Sequence, residues 1–134
     1  MRVGLISYDF CCPYIGGMGM HVTELFKRIN EVDDMEVIAI SGRKNNFSNA
    51  FYVSTPNFQF LPEFFFFSFI VNCKINNWIK NYDLDLIHMH GGQGGVQLLR
   101  RVKVPLLYTV HHSYAQVYKF FPNRMYQTQK HGRV

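Results

Sequence analysis

Short, unbroken apolar runs alternate along this chain with longer amphipathic stretches. The runs "RVGLISY" (2–8), "MEVIAIS" (35–41), "LDLIHMH" (84–90) and "VPLLYTV" (104–110) are rich in β-formers and nearly free of charge. Such runs predict strands covered on both faces, because a strand with one wet face alternates apolar with polar residues. Between the first two, "MGMHVTELFKRINEV" (18–32) sets Met20, Leu25, Ile29 and Val32 near helical spacing and predicts a first helix. A long second helix is predicted over "EFFFFSFIVNCKINNWIKNY" (63–82), with Pro62 suited to its first turn. Its core stripe is Phe64, Phe67, Val71, Ile75, Trp78 and Tyr82, and Phe65, Phe66 and Phe69 fall off that stripe. "GRKNNFSN" (42–49) reads as loop, "FQFLP" (58–62) as a short strand and "VQLLRRV" (96–102) as a short helix. Strands alternating with helices predict an α/β fold: a Rossmann-like parallel sheet with helices on both faces.

Ligands of such sheets bind beyond the carboxyl ends of the strands. Three clusters fall there: Gly16-Gly17-Met18-Gly19, His88 and His90 followed by Gly91-Gly92, and His111-His112. The glycines do not make a dinucleotide fingerprint. Val22 stands where a third glycine is required, seven residues separate Tyr8 from Gly16, and Ser41-Gly42-Arg43 ends the second strand without an acid. A P-loop is excluded as well, since no Gly-Lys-Ser/Thr follows. Two readings stay open: main-chain N–H groups approaching a phosphate at a helix N-terminus, or a flexible turn.

The histidines raise a metal site. His88 and His90 alternate on one strand and so share a face, but no Asp, Glu or Cys lies close in the loops after either histidine pair. No metal is therefore expected. His88, inside an apolar strand, reads as a satisfied core histidine. Asp9, just past the first strand, is either a hydroxyl-binding group or base, or a turn residue capping the loop. Cys11-Cys12 lacks the spacing of a redox pair and receives no chemistry.

Composition narrows the classes. The 134 residues are 48% hydrophobic and 17% charged, a globular balance for a single domain. Net charge is +5, which favours anionic ligands, yet the basic residues are scattered in pairs such as Lys27-Arg28, Arg43-Lys44 and Arg100-Arg101. Nucleic-acid binding is not expected from that distribution. Three cysteines, two of them adjacent, read as reduced thiols. No signal peptide opens the chain, and "FFFFSFIV" (64–71) is far shorter than the roughly 20 apolar residues of a membrane span. A cytoplasmic protein is the expectation.

The segments "MRVGLISYDFCCPYIGGMGMHVTELFKRI", "DLDLIHMHGG" and "VPLLYTVHHSY" resemble, in order and spacing, the N-terminal half of the retaining glycosyltransferases of family 4, which have the GT-B fold. The shared pattern is a loop ending in Pro-x-x-Gly-Gly, a helix carrying a histidine, Asp-x-Ile-His-x-His and Thr-x-His. It covers roughly residues 1–115. The resemblance implies that Gly16 and Gly17 lie by the diphosphate of a nucleotide-sugar donor. It implies that His111 reaches the donor sugar as a catalytic group, and that His21 and His90, with Asp9, line the acceptor side. His112 has no counterpart.

Transfer with retention and without a metal or other cofactor is implied too, the acceptor being a sugar or a lipid-linked molecule. In that family the nucleotide is held by a C-terminal domain with a Glu-x7-Glu motif. Glu24 and Glu31 stand one residue too close to be that motif and belong to the first helix. The chain is accordingly expected to be a truncated acceptor-side domain, 1–134, that needs the missing C-terminal donor-binding domain and is inactive alone. The off-stripe phenylalanines suggest either the contact surface of the missing domain or a peripheral membrane contact to a lipid-linked acceptor, against a crowded core. Two rival readings are a non-catalytic Rossmann-like module for a nucleotide or phosphorylated ligand, and a metal-dependent hydrolase using the histidines.

Overall fold

The computed structural model describes residues 1–10, 16–57, 60–61, 63–91 and 98–111. Their elements are β1 (Arg2–Ser7), α1 (Gly16–Asn30), β2 (Glu36–Ser41), β3 (Ala50–Tyr52), α2 (Glu63–Asn81), β4 (Leu86–Gly91) and β5 (Leu106–Val110). The strands form one parallel sheet in the order β3-β2-β1-β4-β5. Chain order runs outward from β1 in both directions, so the topology switches between β1 and β4, where such sheets open a crevice at their carboxyl edge.

The pleat sorts the apolar residues between two layers. Val3, Leu5, Val37 and Ala39 form one core with Val22 and Phe26 of α1. Ile6, Ile38, Ile40, Ile87 and Met89 form the other with Phe67, Val71 and Ile75 of α2. Helices therefore cover both faces of β1, β2 and β4, whose near-continuous apolar runs follow from that double burial. By contrast β5, predicted to be covered in the same way, is mostly exposed. The α2 stripe lies as its spacing predicts, with Phe64, Trp78 and Tyr82 half-buried against the same cluster. Phe65 and Phe69 point to solvent, 57% and 65% exposed.

Three local expectations are corrected. The third strand is Ala50–Tyr52, beyond the loop at 42–49, and not "FQFLP". Phe60 sits in a turn and Leu61 makes an isolated bridge, while Phe58, Gln59 and Pro62 lie outside the described residues. Residues 98–102 of "VQLLRRV" are not helical. Leu98 and Val102 pack against the α2-side core, and Asn72 Oδ1 accepts the Leu99 N–H at 2.8 Å, holding this connection extended over the helix. The third concerns α1, which starts at Gly16, two residues before the predicted boundary, so the glycine pair opens the helix instead of preceding it.

Candidate functional site

The glycines at the start of α1 have separate reasons. Gly16 adopts φ +71°, the left-handed conformation that glycine tolerates best. Gly19 packs against the end of β1: a β-carbon there would lie 2.8 Å from the Asp9 carbonyl oxygen. Gly17 has neither constraint, with nothing within 4 Å of a β-carbon. It leaves main chain open to a ligand. The first-turn N–H groups of a helix lack intrahelical partners and carry partial positive charge, and α1 has no acidic residue in that turn to compete for them. The arrangement suits a phosphate. Residues 11–15, including Cys11 and Cys12, lie outside the described residues.

The histidines converge from three elements. His88 and His90 share the α1 face of β4, and the parallel register sets His90 beside Thr109 of β5. Two residues on, His111 returns to that face, its N–H donating to the Gly91 carbonyl at 3.3 Å. His88 is a buried, satisfied histidine, as expected, its Nε2 hydrogen-bonded to Thr109 Oγ1 at 2.8 Å. His90 is fully buried, and its Nδ1 shares a hydrogen bond of 2.9 Å with His111 Nε2. His90 Nε2 has no partner among the described residues.

His21, exposed on α1, completes the group, with ring centroids 5.6 Å from His90 and 5.0 Å from His111. Burial, and then the neighbouring imidazoles, push His90 down to about 3, so it is neutral at physiological pH. Burial lowers His88 as well. His111 is the half-buried member, hydrogen-bonded to a neutral ring.

Beside this group Asp9 is not a free base. Its Oδ1 pairs with Arg43 Nε at 3.0 Å. Burial raises the Asp9 carboxyl above its usual range, while the Arg43 bond and charge oppose the rise. The Arg43 guanidinium lies 4.9 Å above the Tyr8 ring, and the Tyr8 hydroxyl donates to Glu63 Oε2 at 2.7 Å. Ser41 Oγ donates to the Phe10 carbonyl at 2.5 Å and accepts the Arg43 N–H at 3.0 Å, tying the ends of β1 and β2 together. Arg43 is the site residue that sequence reasoning passed over. Its signal was present: a cation immediately past an apolar strand, at the ligand-binding edge.

The structure thus gathers Asp9, Gly16, Gly17, His21, His90 and His111 along one edge of the sheet, around the β1/β4 switch point. His112 lies outside the described residues. Residues 15–133 match the model of Glycosyltransferase Family 4. The chain belongs to glycosyltransferase family 4. It is also similar to an uncharacterized glycosyltransferase of Methanocaldococcus jannaschii, 32% identical over 113 residues. That alignment covers 80% of this family 4 chain and 31% of the relative, so the chain spans about a third of the relative's length.

Proposed function

We propose that this family 4 chain is the acceptor-side, N-terminal domain of a retaining GT-B glycosyltransferase that moves a sugar from a nucleotide-sugar donor to an acceptor. The observation that carries the reading is the His90–His111 bond at the carboxyl end of β4, with His21, one turn along α1 from the open Gly17, against both rings. In transfer, the anomeric carbon–oxygen bond to the diphosphate breaks and a bond to an acceptor oxygen forms, the acceptor giving up its proton. Negative charge then grows on the leaving diphosphate. The N–H groups at Gly16 and Gly17, with Arg43 on the neighbouring strand end, supply fixed positive dipole and charge for it, an electrostatic role that no metal has to fill.

His111 hydrogen-bonds a hydroxyl of the donor sugar, and His90 behind it fixes the ring. His21 and Asp9 lie on the acceptor side, and Asp9 also holds Arg43, which serves the diphosphate. A C-terminal domain grips the nucleotide, so activity belongs to a longer protein than these 134 residues. Family membership favours this reading over the non-catalytic module and the metal-dependent hydrolase. No helix among the described residues is long and apolar enough to cross a membrane. Phe65 and Phe69 provide a peripheral contact to the surface that carries a lipid-linked acceptor.

The test is to incubate the complete protein with a panel of nucleotide sugars and candidate acceptors and to read the product anomer by NMR. A product with the donor's anomeric configuration supports the reading. An inverted product, or turnover that depends strictly on added metal, defeats it.

A further inference from the structure

We infer that His21, His90 and His111 form a three-imidazole binding site for a zinc-class transition-metal dication. One ring nitrogen from each lies within 4.8 Å of the others. The ligands come from α1, β4 and just past β5, so the fold brings them together and not the local sequence. Two nitrogens bound to the same tetrahedral zinc at about 2.0–2.1 Å stand roughly 3.4 Å apart. The His90 Nδ1 and His111 Nε2, at 2.9 Å, need part only slightly to admit an ion. His21 is exposed and swings on its own side chain, so it is the ligand that closes the site.

The donor set selects the metal. Three neutral nitrogens suit zinc, copper or nickel, whereas magnesium and calcium require oxygen ligands. Three protein ligands also leave a fourth position open to water or to a hydroxyl of a sugar. The other ring nitrogen of His90, the buried Nε2, has no partner among the described residues. The same orphan atom limits affinity. Metal-bound histidines ordinarily donate their other N–H to a carboxylate or carbonyl, and losing that support costs 10–100-fold. The ion is accordingly exchangeable and does not hold the fold together. Where it binds, it fixes the His111 ring in its own coordination geometry in place of the contact with the donor sugar proposed above. On that reading, which this consequence alone rests on, the bound ion inhibits transfer.

The experiment is direct metal binding by the chelator-stripped chain. Zn²⁺ is titrated by calorimetry, with Co²⁺ ligand-field absorption as the reporter of nitrogen coordination. The same titrations are run on His21→Ala, whose exposed site leaves the core intact, as circular dichroism verifies. Expected are one equivalent of Zn²⁺ not displaced by excess Mg²⁺, and at least about tenfold weaker binding in the variant. Equal affinity in His21→Ala, which would place the ion at other side chains, overturns the site. So does the absence of any Zn²⁺ or Co²⁺ binding. Neither readout involves sugar transfer, so the metal site and the proposed reaction fail separately.

Discussion

Gly19 meets the main chain of Asp9 so closely that a β-carbon would stand 2.8 Å from the Asp9 carbonyl oxygen. The obstacle is backbone, which cannot rotate aside as a side-chain tip can. Gly19→Ala must push α1 away from the end of β1, where Val22 and Phe26 are seated in the core. The expected cost is about 1–3 kcal/mol, the usual range for overpacking. Urea unfolding checks it, and an unchanged midpoint would mean that the Asp9 turn yields freely.

Gly17→Ala is expected to behave in the opposite way. With nothing within 4 Å of the new methyl group, stability should stay within about 0.5 kcal/mol of the parent. On the proposed function, the same methyl in the complete protein would intrude on the donor diphosphate, and the KM for the nucleotide sugar should rise. Gly16→Ala, at φ +71°, should instead lose stability by about 1–2 kcal/mol. Thermal melts of the three alanine variants, set beside donor KM, separate packing, conformation and ligand approach.

Removing the cation from the Asp9–Arg43 pair should hurt most at neutral pH. Arg43→Ala leaves a mostly buried carboxylate without its partner, a loss of about 1–2 kcal/mol after allowing for partial solvent access. Burial already raises the Asp9 carboxyl, and the loss of Arg43 raises it further, so acid neutralises the orphan. The stability gap between parent and variant should therefore narrow as pH falls toward about 4. Paired denaturation curves at the two pH values measure it. A gap that widened in acid would remove Asp9 as the cause.

Stability should also fall in acid through His90. In the folded state its imidazole resists protonation down to about 3, against an ordinary 6.5 in the unfolded chain. Between those values the unfolded state binds more protons, so acid favours unfolding. Stability is held above pH 6.5 and lost as pH drops below it. The slope is at most about 1.4 kcal/mol per pH unit from this group, and His88, lowered in the same direction, adds to it. His90→Gln should flatten this part of the profile, read from chelator-treated protein with no metal on the rings.

For His111, alanine in the complete enzyme should lower kcat by roughly 10²–10³, the effect of deleting one donor aimed at transition-state charge. Near-normal turnover would take His111 out of the reaction.

Much of this architecture was legible because burial on both faces leaves a plain mark. β1, β2 and β4 read as apolar runs for that reason, β5 is an equally apolar run although its residues are mostly exposed, and α2 showed its stripe from Phe64 to Trp78. β3 left none: its three residues lie at an edge, with Phe51 and Tyr52 exposed, so no pattern of burial was imposed on them. The connection at 98–102 looked helical because Leu98 and Val102 are apolar, but both serve a core that α2 already covers. The glycine loop and the histidines stood out as unusual residues at strand ends. What periodicity could not reveal was contact across elements. The Asp9–Arg43 pair joins two strand ends, and His21 touches His90 and His111 only after α1 docks.

Among the described strands β5 lies at an edge of the sheet, which gives the site a lifetime as well as a shape. Leu107, Thr109 and the His111 amide are held, among the described residues, to β4 on one side only, and Leu106, Leu107 and Val110 are 43–61% exposed. Edge strands open more readily than central ones, and an opening of β5 would carry His111 away from His90 without displacing the Asp9–Arg43 pair between the ends of β1 and β2. Any ligand that needs His111 binds only the closed fraction of molecules, and its apparent affinity is reduced by that fraction. A contact that pins β5 would tighten binding without touching the ligand.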